Sequence, residues 1–247
     1  MIPRFHCPPA PHRMLAPGAL VELPDTAARH ALKVLRMRDG DAVVLFDGQG
    51  GEWEAALKVG AGGTAQALLG THRAHDNESP LALTLVQALP SGDKMDWVVE
   101  KCVELGVAAI QPVAAKRSVI RLSAERMERR VAHWNAIASA ACEQCGRNRV
   151  PVVAPVLDLP QYLAAAKDQN ALRLMLAPAA ATALREMPRP AGPVQFMVGP
   201  EGGWEDGEMR AAEAAGFRML QLGPRVLRTE TAGMAALAAM QALWGDF

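Results

Sequence analysis

The chain has 247 residues, of which 50% are hydrophobic and 21% are charged, and its 26 basic side chains balance its 26 acidic ones. This is an ordinary composition for a globular protein, and a net charge of zero means that any attraction to nucleic acid has to be local. The N-terminus lacks an apolar run that could serve as a signal peptide. No segment approaches the roughly 20 apolar residues that span a bilayer. Four scattered cysteines do not form a disulfide scaffold. We therefore expect a cytoplasmic protein with no membrane partner.

Residues 1–72 are predicted to form a small separate domain. A helix is expected over Ala28–Met37, after a start signal at Asp25. Three strand-like runs follow, separated by glycine-rich turns: Ala42–Phe46, Trp53–Val59 and Thr64–Leu69. Short strands joined by glycine turns are typical of a small barrel. The polar segment His72–Pro80 is typical of a linker, so the second domain is expected over residues 73–247.

Basic side chains are concentrated at the start of this first domain. Arg29, Lys33 and Arg36 follow the i, i+4, i+7 spacing that would place them on one face of an α-helix. A solvated helix face is the more common explanation of three such residues. The absence of acidic residues from that face favours contact with phosphates, and Arg4 is a further candidate for this contact.

The second domain alternates strands with helices, which predicts an α/β sheet. The strands are expected, in chain order, at Leu81–Leu89, Val107–Val113, Val152–Leu157, Ala171–Leu176, Val194–Val198 and Phe217–Leu222. The helices are expected between Asp93 and Gly106, at Leu122–Cys145, Gln161–Asp168 and Trp204–Ala215, and over a last stretch that carries Met234, Leu237, Gln241 and Trp244 as one stripe. The first of these strands is apolar on both faces, which is typical of a covered parallel strand.

The long predicted helix ends at Cys145 and is followed by Gly146 and a loop rich in hydrogen-bond donors. Arg147 and Arg149 in this loop are candidates for contact with phosphates. A solvated surface is the alternative explanation, and it is weaker for the loop than for the arginines of the helix itself.

Cys142 and Cys145 form a C-x-x-C pair, which can be redox-active or half of a zinc site. A closed zinc site needs two further ligands, and the remaining cysteines and histidines are scattered without a second pair. We therefore interpret the two cysteines as structural and expect no metal site.

Two glycine-bearing turns follow the last two predicted strands. The first is Gly199–Gly203, and the second runs from Leu222 to Ala232. Neither is a phosphate-binding loop of the G-x-x-x-x-G-K-[ST] or G-x-G-x-x-G type. Because ligands of open α/β sheets bind beyond the carboxyl ends of the strands, we expect the two turns to lie together around one cofactor.

The two turns resemble those of the SPOUT methyltransferases. The closest resemblance is to the RsmE family, the 16S ribosomal RNA (uracil-N3)-methyltransferases. The same family pattern is found in four further stretches: Val34–Gly40, Lys94–Asp96, Glu104–Gly106 and Ala141–Pro151. The resemblance covers nearly the whole chain, and motifs of this length are not expected to recur by accident.

The resemblance implies a SPOUT-type parallel sheet with a C-terminal trefoil knot, preceded by a PUA-like barrel that binds RNA. Such a knot is an exception to the rule that protein chains do not thread through their own loops. The resemblance also implies a homodimer, S-adenosylmethionine as cofactor and ribosomal RNA of the small subunit as partner. The implied reaction is methylation of N3 of a uridine in 16S ribosomal RNA.

Site residues follow from the turns and from the basic segments. The residues expected to bind the cofactor are Leu176, Gly199, Pro200, Glu201, Gly202, Leu222, Gly223, Leu227, Arg228 and Ala232. The residues expected to bind RNA are Arg4, Arg29, Lys33, Arg36, Arg147 and Arg149. The catalytic candidates are Arg225, Arg228 and Glu201.

The reaction chemistry suggests roles for the charged residues of the turns. A sulfonium already makes its methyl group electrophilic, so positioning should supply much of the acceleration. Uracil N3 reacts as an anion, and Arg225 and Arg228 are candidates to stabilise it or to bind the neighbouring phosphate. Glu201 and Glu230 are candidates to orient an arginine or to remove the N3 proton. An acid at a helix N-terminus explains Glu230 equally well.

Access to N3 requires a base that is exposed or pulled out of its stack, which suits one domain that binds RNA and another that performs the chemistry.

Three alternative functions stay open. The chain could be a SPOUT methyltransferase for another RNA nucleotide, a non-catalytic RNA-binding protein, or a redox or metal protein that uses Cys142 and Cys145.

Overall fold

A computed structural model describes residues 2–10, 15–60, 63–118, 123–165 and 170–247. The chain forms two compact units, one of Met1–Glu78 with Ser139–Val150 and the other of Ser79–Ala138 with Pro151–Phe247. Within the described ranges, no helix is long and apolar enough to cross a membrane.

The first unit is built on a five-stranded sheet. Its strands are β1 (Arg4–His6), β2 (Leu20–Glu22), β3 (Ala42–Phe46), β4 (Glu52–Val59) and β5 (Ala65–Arg73). Their spatial order is β1-β3-β4-β5-β2, and only the β1–β3 pair among them is parallel. Phe5, Leu45, Leu57 and Leu69 are buried in the core of this unit. The three predicted strands are confirmed, β1 and β2 are additional, and β5 continues into the segment predicted as a linker.

The helix predicted over Ala28–Met37 takes a different form. An α-helix, α1, covers only Asp25–Arg29, and a π-helix continues it over His30–Val34. The wider π turn changes the angular spacing of side chains, and Arg36 lies beyond the helix with a φ of 55°. The prediction that Arg29, Lys33 and Arg36 share one α-helical face is therefore wrong, although all three side chains are exposed.

The second unit contains a sheet whose described strand pairs are all parallel. Its strands are β6 (Leu83–Ala88), β7 (Ala109–Ala114), β8 (Val152–Val153), β9 (Leu157–Asp158), β10 (Leu172–Leu176), β11 (Val194–Val198) and β12 (Arg218–Leu220). The spatial order is β12-β10-β11-β6-β7-β8, and β9 also pairs with β7. This arrangement confirms the predicted α/β fold with a parallel sheet.

Helices connect these strands. They are α2 (Lys94–Glu104), α3 (Ala124–Cys145), α4 (Leu159–Ala165), α5 (Asp206–Ala214) and α6 (Thr229–Trp244). The α4 helix begins two residues before the predicted helix at Gln161–Asp168, and residues 166–169 lie outside the described ranges. α6 packs against α2, and Gly233 of α6 lies next to β6, where an added Cβ would be in ordinary van der Waals contact with Leu85 and Gln87 at 3.5 Å.

Candidate active site

Three neighbouring strands of the second unit end at one edge of the sheet. β10 ends at Leu176, which pairs with Leu220 at the end of β12, and Val198 ends β11 on the other side of β10. The two glycine-bearing turns follow β11 and β12, so the sheet order places them on both sides of β10. They line one cavity of about 600 Å³, as expected from the sequence.

The cavity brings together every residue predicted to bind the cofactor, and also Arg225. Further lining residues were not among the predicted site residues: Lys94, Arg117, Ala177, Pro178, Ala179, Val198, Gly203, Trp204, Met209, Leu220, Gln221, Val226 and Thr229. Lys94 and Arg117 follow β6 and β7, whose carboxyl ends lie along the same edge. Lys94 belongs to a stretch that carries the family resemblance, whereas no local signal marks Arg117. The proximity of both residues to the turns depends on the order of strands that are distant in sequence.

Contacts from other segments hold the first turn, Gly199–Gly203. The Thr229 hydroxyl donates a hydrogen bond to the Gly199 carbonyl at 2.6 Å, and Arg117 Nη1 donates one to the Gly202 carbonyl at 2.8 Å. Lys94 Nζ and Ser91 Oγ donate to the Glu201 carboxylate at 2.8 and 2.6 Å. Partial burial raises the pKa of Glu201, but hydrogen bonds from Lys94 and Ser91 outweigh that effect and hold the pKa at about 2. Glu201 is therefore ionised at neutral pH.

The second turn is more exposed than the first. Val226 is 79% exposed, and the side chains of Arg225 and Arg228 also face solvent. Within the described ranges, neither arginine forms a salt bridge. The Arg228 carbonyl accepts hydrogen bonds from the amides of Thr231 and Ala232, so this residue caps the start of α6. Two exposed guanidinium groups consequently stand at the rim of the cavity.

The cavity has the chemical character that S-adenosylmethionine requires. Its walls include the apolar side chains of Leu176, Val198 and Leu227, which suit an adenine ring and the methylene groups of the methionine part. The indole of Trp204 also lines it, and its buried Nε1 donor has no hydrogen-bond partner in the described part of the chain. A buried donor without a partner is costly, so this atom is well placed to bind a ligand acceptor.

The residues predicted to bind RNA lie in the first unit, with different exposure. Arg29, Lys33 and Arg36 are exposed, and the side chain of Arg149 is 58% exposed beside Asp76 at 3.1 Å. Binding of RNA by these residues stays a prediction.

Arg4 and Arg147 differ from that exposed group because they have internal partners. Arg4 forms a salt bridge with Glu52 at 2.5 Å, and Arg147 forms one with Glu78 at 2.6 Å. Only 6% of the Arg147 side chain is exposed. In the described structure, these two arginines fix the loop that carries Arg149 and do not present their charges to solvent.

The two cysteines of the C-x-x-C pair are not joined by a disulfide. Burial raises the pKa of Cys142 to about 12, so its thiol stays protonated at neutral pH. Among the described residues, no group of three or more histidine, cysteine or acidic side chains is arranged to hold a metal ion.

The fold and the site together define an RNA methyltransferase, and two family models match the chain accordingly. The model of the RNA methyltransferase domain matches residues 77–241, and the model of the RNA methyltransferase PUA domain matches residues 23–68. The chain is 36% identical to a Synechocystis ribosomal RNA small subunit methyltransferase E, over 93% of this chain and 77% of that protein. The chain belongs to the family of ribosomal RNA small subunit methyltransferase E.

Solved structures agree with this assignment. The ribosomal RNA small subunit methyltransferase E of Neisseria gonorrhoeae, solved with S-adenosylmethionine bound, matches with a TM-score of 0.91 at 44% identity over 100% of both chains. A putative methyltransferase of Legionella pneumophila, also solved with this cofactor, matches with a TM-score of 0.93 at 37% identity over 100% of both chains. The predicted family, the enzyme class and the cofactor are thus confirmed.

Proposed function

We propose that this protein transfers a methyl group from S-adenosylmethionine to N3 of a uridine in the 16S ribosomal RNA of the small subunit. The observation that carries the proposal is the cavity in which both glycine-bearing turns meet, with apolar walls inside and Arg225 and Arg228 at its rim. Methylation of another RNA nucleotide at the same cavity is the second candidate function, because the exposed guanidinium groups can bind the phosphate of any nucleotide.

The cofactor supplies an electrophilic methyl group, and the protein has to position it. Backbone groups of Gly199, Gly202 and Gly223 and the side chains of Leu176, Leu222 and Leu227 bind the adenosine and methionine parts in this proposal. Pro200 and Ala232 complete the wall. Enclosure by these groups excludes water and fixes the direction from which a nucleophile can approach.

The charged residues have separate tasks in this proposal. Arg228 stabilises the uracil N3 anion, and Arg225 binds the phosphate beside the target base, because both cations are exposed at the cavity. Glu201 acts by orienting cationic side chains. Its low pKa makes it a poor acceptor for the N3 proton.

The domain of residues 1–72 is proposed to bind RNA and the domain of residues 73–247 to carry out the chemistry, with Arg149 of the second range adding an RNA contact. Arg29, Lys33, Arg36 and Arg149 contact phosphates in this arrangement, since their side chains are exposed. Arg4 and Arg147 support RNA binding indirectly by fixing the loop of Arg149.

We also propose a trefoil knot and a homodimer. The order β12-β10-β11 supports the knot, because the chain passes from β11 across β10 to reach β12. The large apolar side chains of Trp97 on α2 and Leu243 on α6, which are 52% and 48% exposed, support a protein interface. An enzyme that modifies the small ribosomal subunit would work in the cytoplasm.

The full chain tests this function directly. We expect isothermal titration to show binding of S-adenosylmethionine, and incubation with unmodified small subunits or their RNA to yield 3-methyluridine in 16S ribosomal RNA. Failure to bind the cofactor would favour a non-catalytic RNA-binding protein. Methylation of a different nucleotide would favour the second candidate.

A further inference from the structure

One lysine joins acidic residues from both sides of the cofactor cavity. Lys94, the first residue of α2, has its Nζ 2.8 Å from a Glu201 carboxylate oxygen and 3.5 Å from a Glu230 carboxylate oxygen. Glu201 belongs to the first turn, and Glu230 belongs to the part of the second turn that forms the start of α6. Lys94 itself follows a third strand, β6, which ends at Ala88 and pairs with β11.

We propose that Lys94 is a positioning residue for methyl transfer, which fixes the separation of the two turns by forming an ion pair with one carboxylate from each side of the cavity. The inference rests on the proposed function, because a fixed separation matters only if a ligand is bound between the turns. Lys94 lines the cavity but has its charge directed at protein groups, so it need not contact the reacting atoms.

The environment of Glu230 supports this role. Its side chain is only 16% exposed, and its Oε2 atom is buried without a hydrogen-bond partner among the described residues. A largely buried carboxylate requires a cation nearby, and Lys94 supplies it at 3.5 Å. Removal of Lys94 would leave this charge uncompensated.

Removal of Lys94 would also leave the carboxylates of Glu201 and Glu230 to repel each other. Both carboxylates lie within 3.5 Å of the same nitrogen, so without it two like charges would face each other across the cavity. Glu201 keeps its charge because its pKa lies at about 2, and the hydrogen bond to Glu201 raises the pKa of Lys94. Repulsion would therefore push the turns apart.

The two turns have a second connection that does not involve Lys94. Thr229 donates to the Gly199 carbonyl at 2.6 Å and accepts from Gln87 Nε2 at 2.9 Å, and both side chains are buried. This connection should preserve the fold when Lys94 is replaced. The expected consequence is a cavity with looser geometry in a folded protein.

The experiment compares Lys94→Met and Lys94→Arg with Lys101→Met. Lys101 is a matched control on the same helix, paired with Glu100 and Glu104 at 2.7 Å and outside the cavity lining of the described chain. We expect Lys94→Met to lower kcat for methyl transfer about 10- to 100-fold, with unchanged circular dichroism. Lys94→Arg should recover part of the loss, and Lys101→Met should retain wild-type kcat.

A double variant separates charge pairing from packing of the lysine stem. If repulsion is the cause, adding Glu201→Gln to Lys94→Met should restore part of kcat, because one of the facing charges is gone. The inference is overturned if Glu201→Gln lowers kcat further in the Lys94→Met background instead of restoring it. It is also overturned if Lys94→Met has wild-type kcat. A wild-type protein that neither binds nor uses S-adenosylmethionine would instead contradict the proposed function.

Discussion

The two turns that form the cofactor cavity differ in what holds them in place. The first turn, Gly199–Gly203, receives hydrogen bonds from Thr229, Arg117 and Lys94, three residues that lie far from it in sequence. The second turn presents Arg225 and Val226 to solvent. The first turn is therefore organised before a ligand arrives, and the second has charges available for a partner.

This difference fits the two substrates of the proposed reaction. A cofactor that has to be aligned within a fraction of an ångström benefits from a preorganised wall. A large RNA benefits from exposed cations, because phosphates attract them at long range and side chains adjust after contact. Variants in the first turn should consequently impair cofactor binding, whereas variants of the exposed arginines in the second turn should impair the steps that involve RNA.

The largest effect is expected for Arg228→Ala, which removes the proposed partner of the developing anion. We expect kcat to fall by about 100- to 1,000-fold, the usual loss for one such donor. The fold should persist, since the side chain is exposed. Single-turnover assays with ribosomal substrate measure the loss.

Arg210→Ala is the matched control for that variant, because Arg210 is an exposed arginine on α5. It should leave kcat unchanged. Full activity of Arg228→Ala would remove Arg228 from the mechanism and would weaken the contrast between the turns.

A smaller effect is expected for Gly199→Ala in the organised turn. An added Cβ would stand 3.1 Å from Nε1 of Trp204, so the indole would have to move, and the indole is part of the cavity wall. Overpacking typically costs about 1–3 kcal/mol. We expect S-adenosylmethionine affinity to fall by roughly tenfold, as measured by isothermal titration.

Gly207→Ala controls for the change of residue type. Nothing lies within 4 Å of its added Cβ, and alanine is favoured over glycine in a helix. Its cofactor affinity should equal that of the wild type. Unchanged affinity in Gly199→Ala would show that the first turn adapts more easily than its contacts suggest.

The smallest effect is expected for Arg225→Ala at the exposed rim. Loss of one phosphate contact should raise KM for RNA and reduce the slope of log affinity against log salt by about 1. Cofactor affinity should stay the same. If cofactor affinity changes and the slope of log affinity against log salt does not, Arg225 contributes to cofactor binding, as the first turn does, and not to RNA binding.

Much of this architecture could be predicted from local sequence. The run Val194–Val198 forms a strand with the predicted bounds, and a glycine-rich turn follows it. Apolar periodicity and glycine placement act over a few residues, so one sequence is enough to reveal them. The meeting of the two turns could be predicted because parallel strands end at a common edge.

Long-range pairing could not be predicted in the same way. Lys94 meets Glu201 only because β6 lies next to β11, and Arg147 is buried because Glu78 lies beside it. A basic residue in a donor-rich loop has the same local sequence whether it faces RNA or an internal acid. The π-helix at His30–Val34 was also missed, since its i to i+5 bonding leaves no clear periodic signal.

The position of β12 has a consequence for how the enzyme matures. This strand pairs with β10, and it leads into the second turn and the first residues of α6, which supply part of the cavity wall. A nascent chain that has emerged only as far as β11 therefore lacks β12 and the part of the cavity wall that follows it. Catalytic competence should appear late in biosynthesis, after the residues through Ala232 have left the ribosome and docked beside β10.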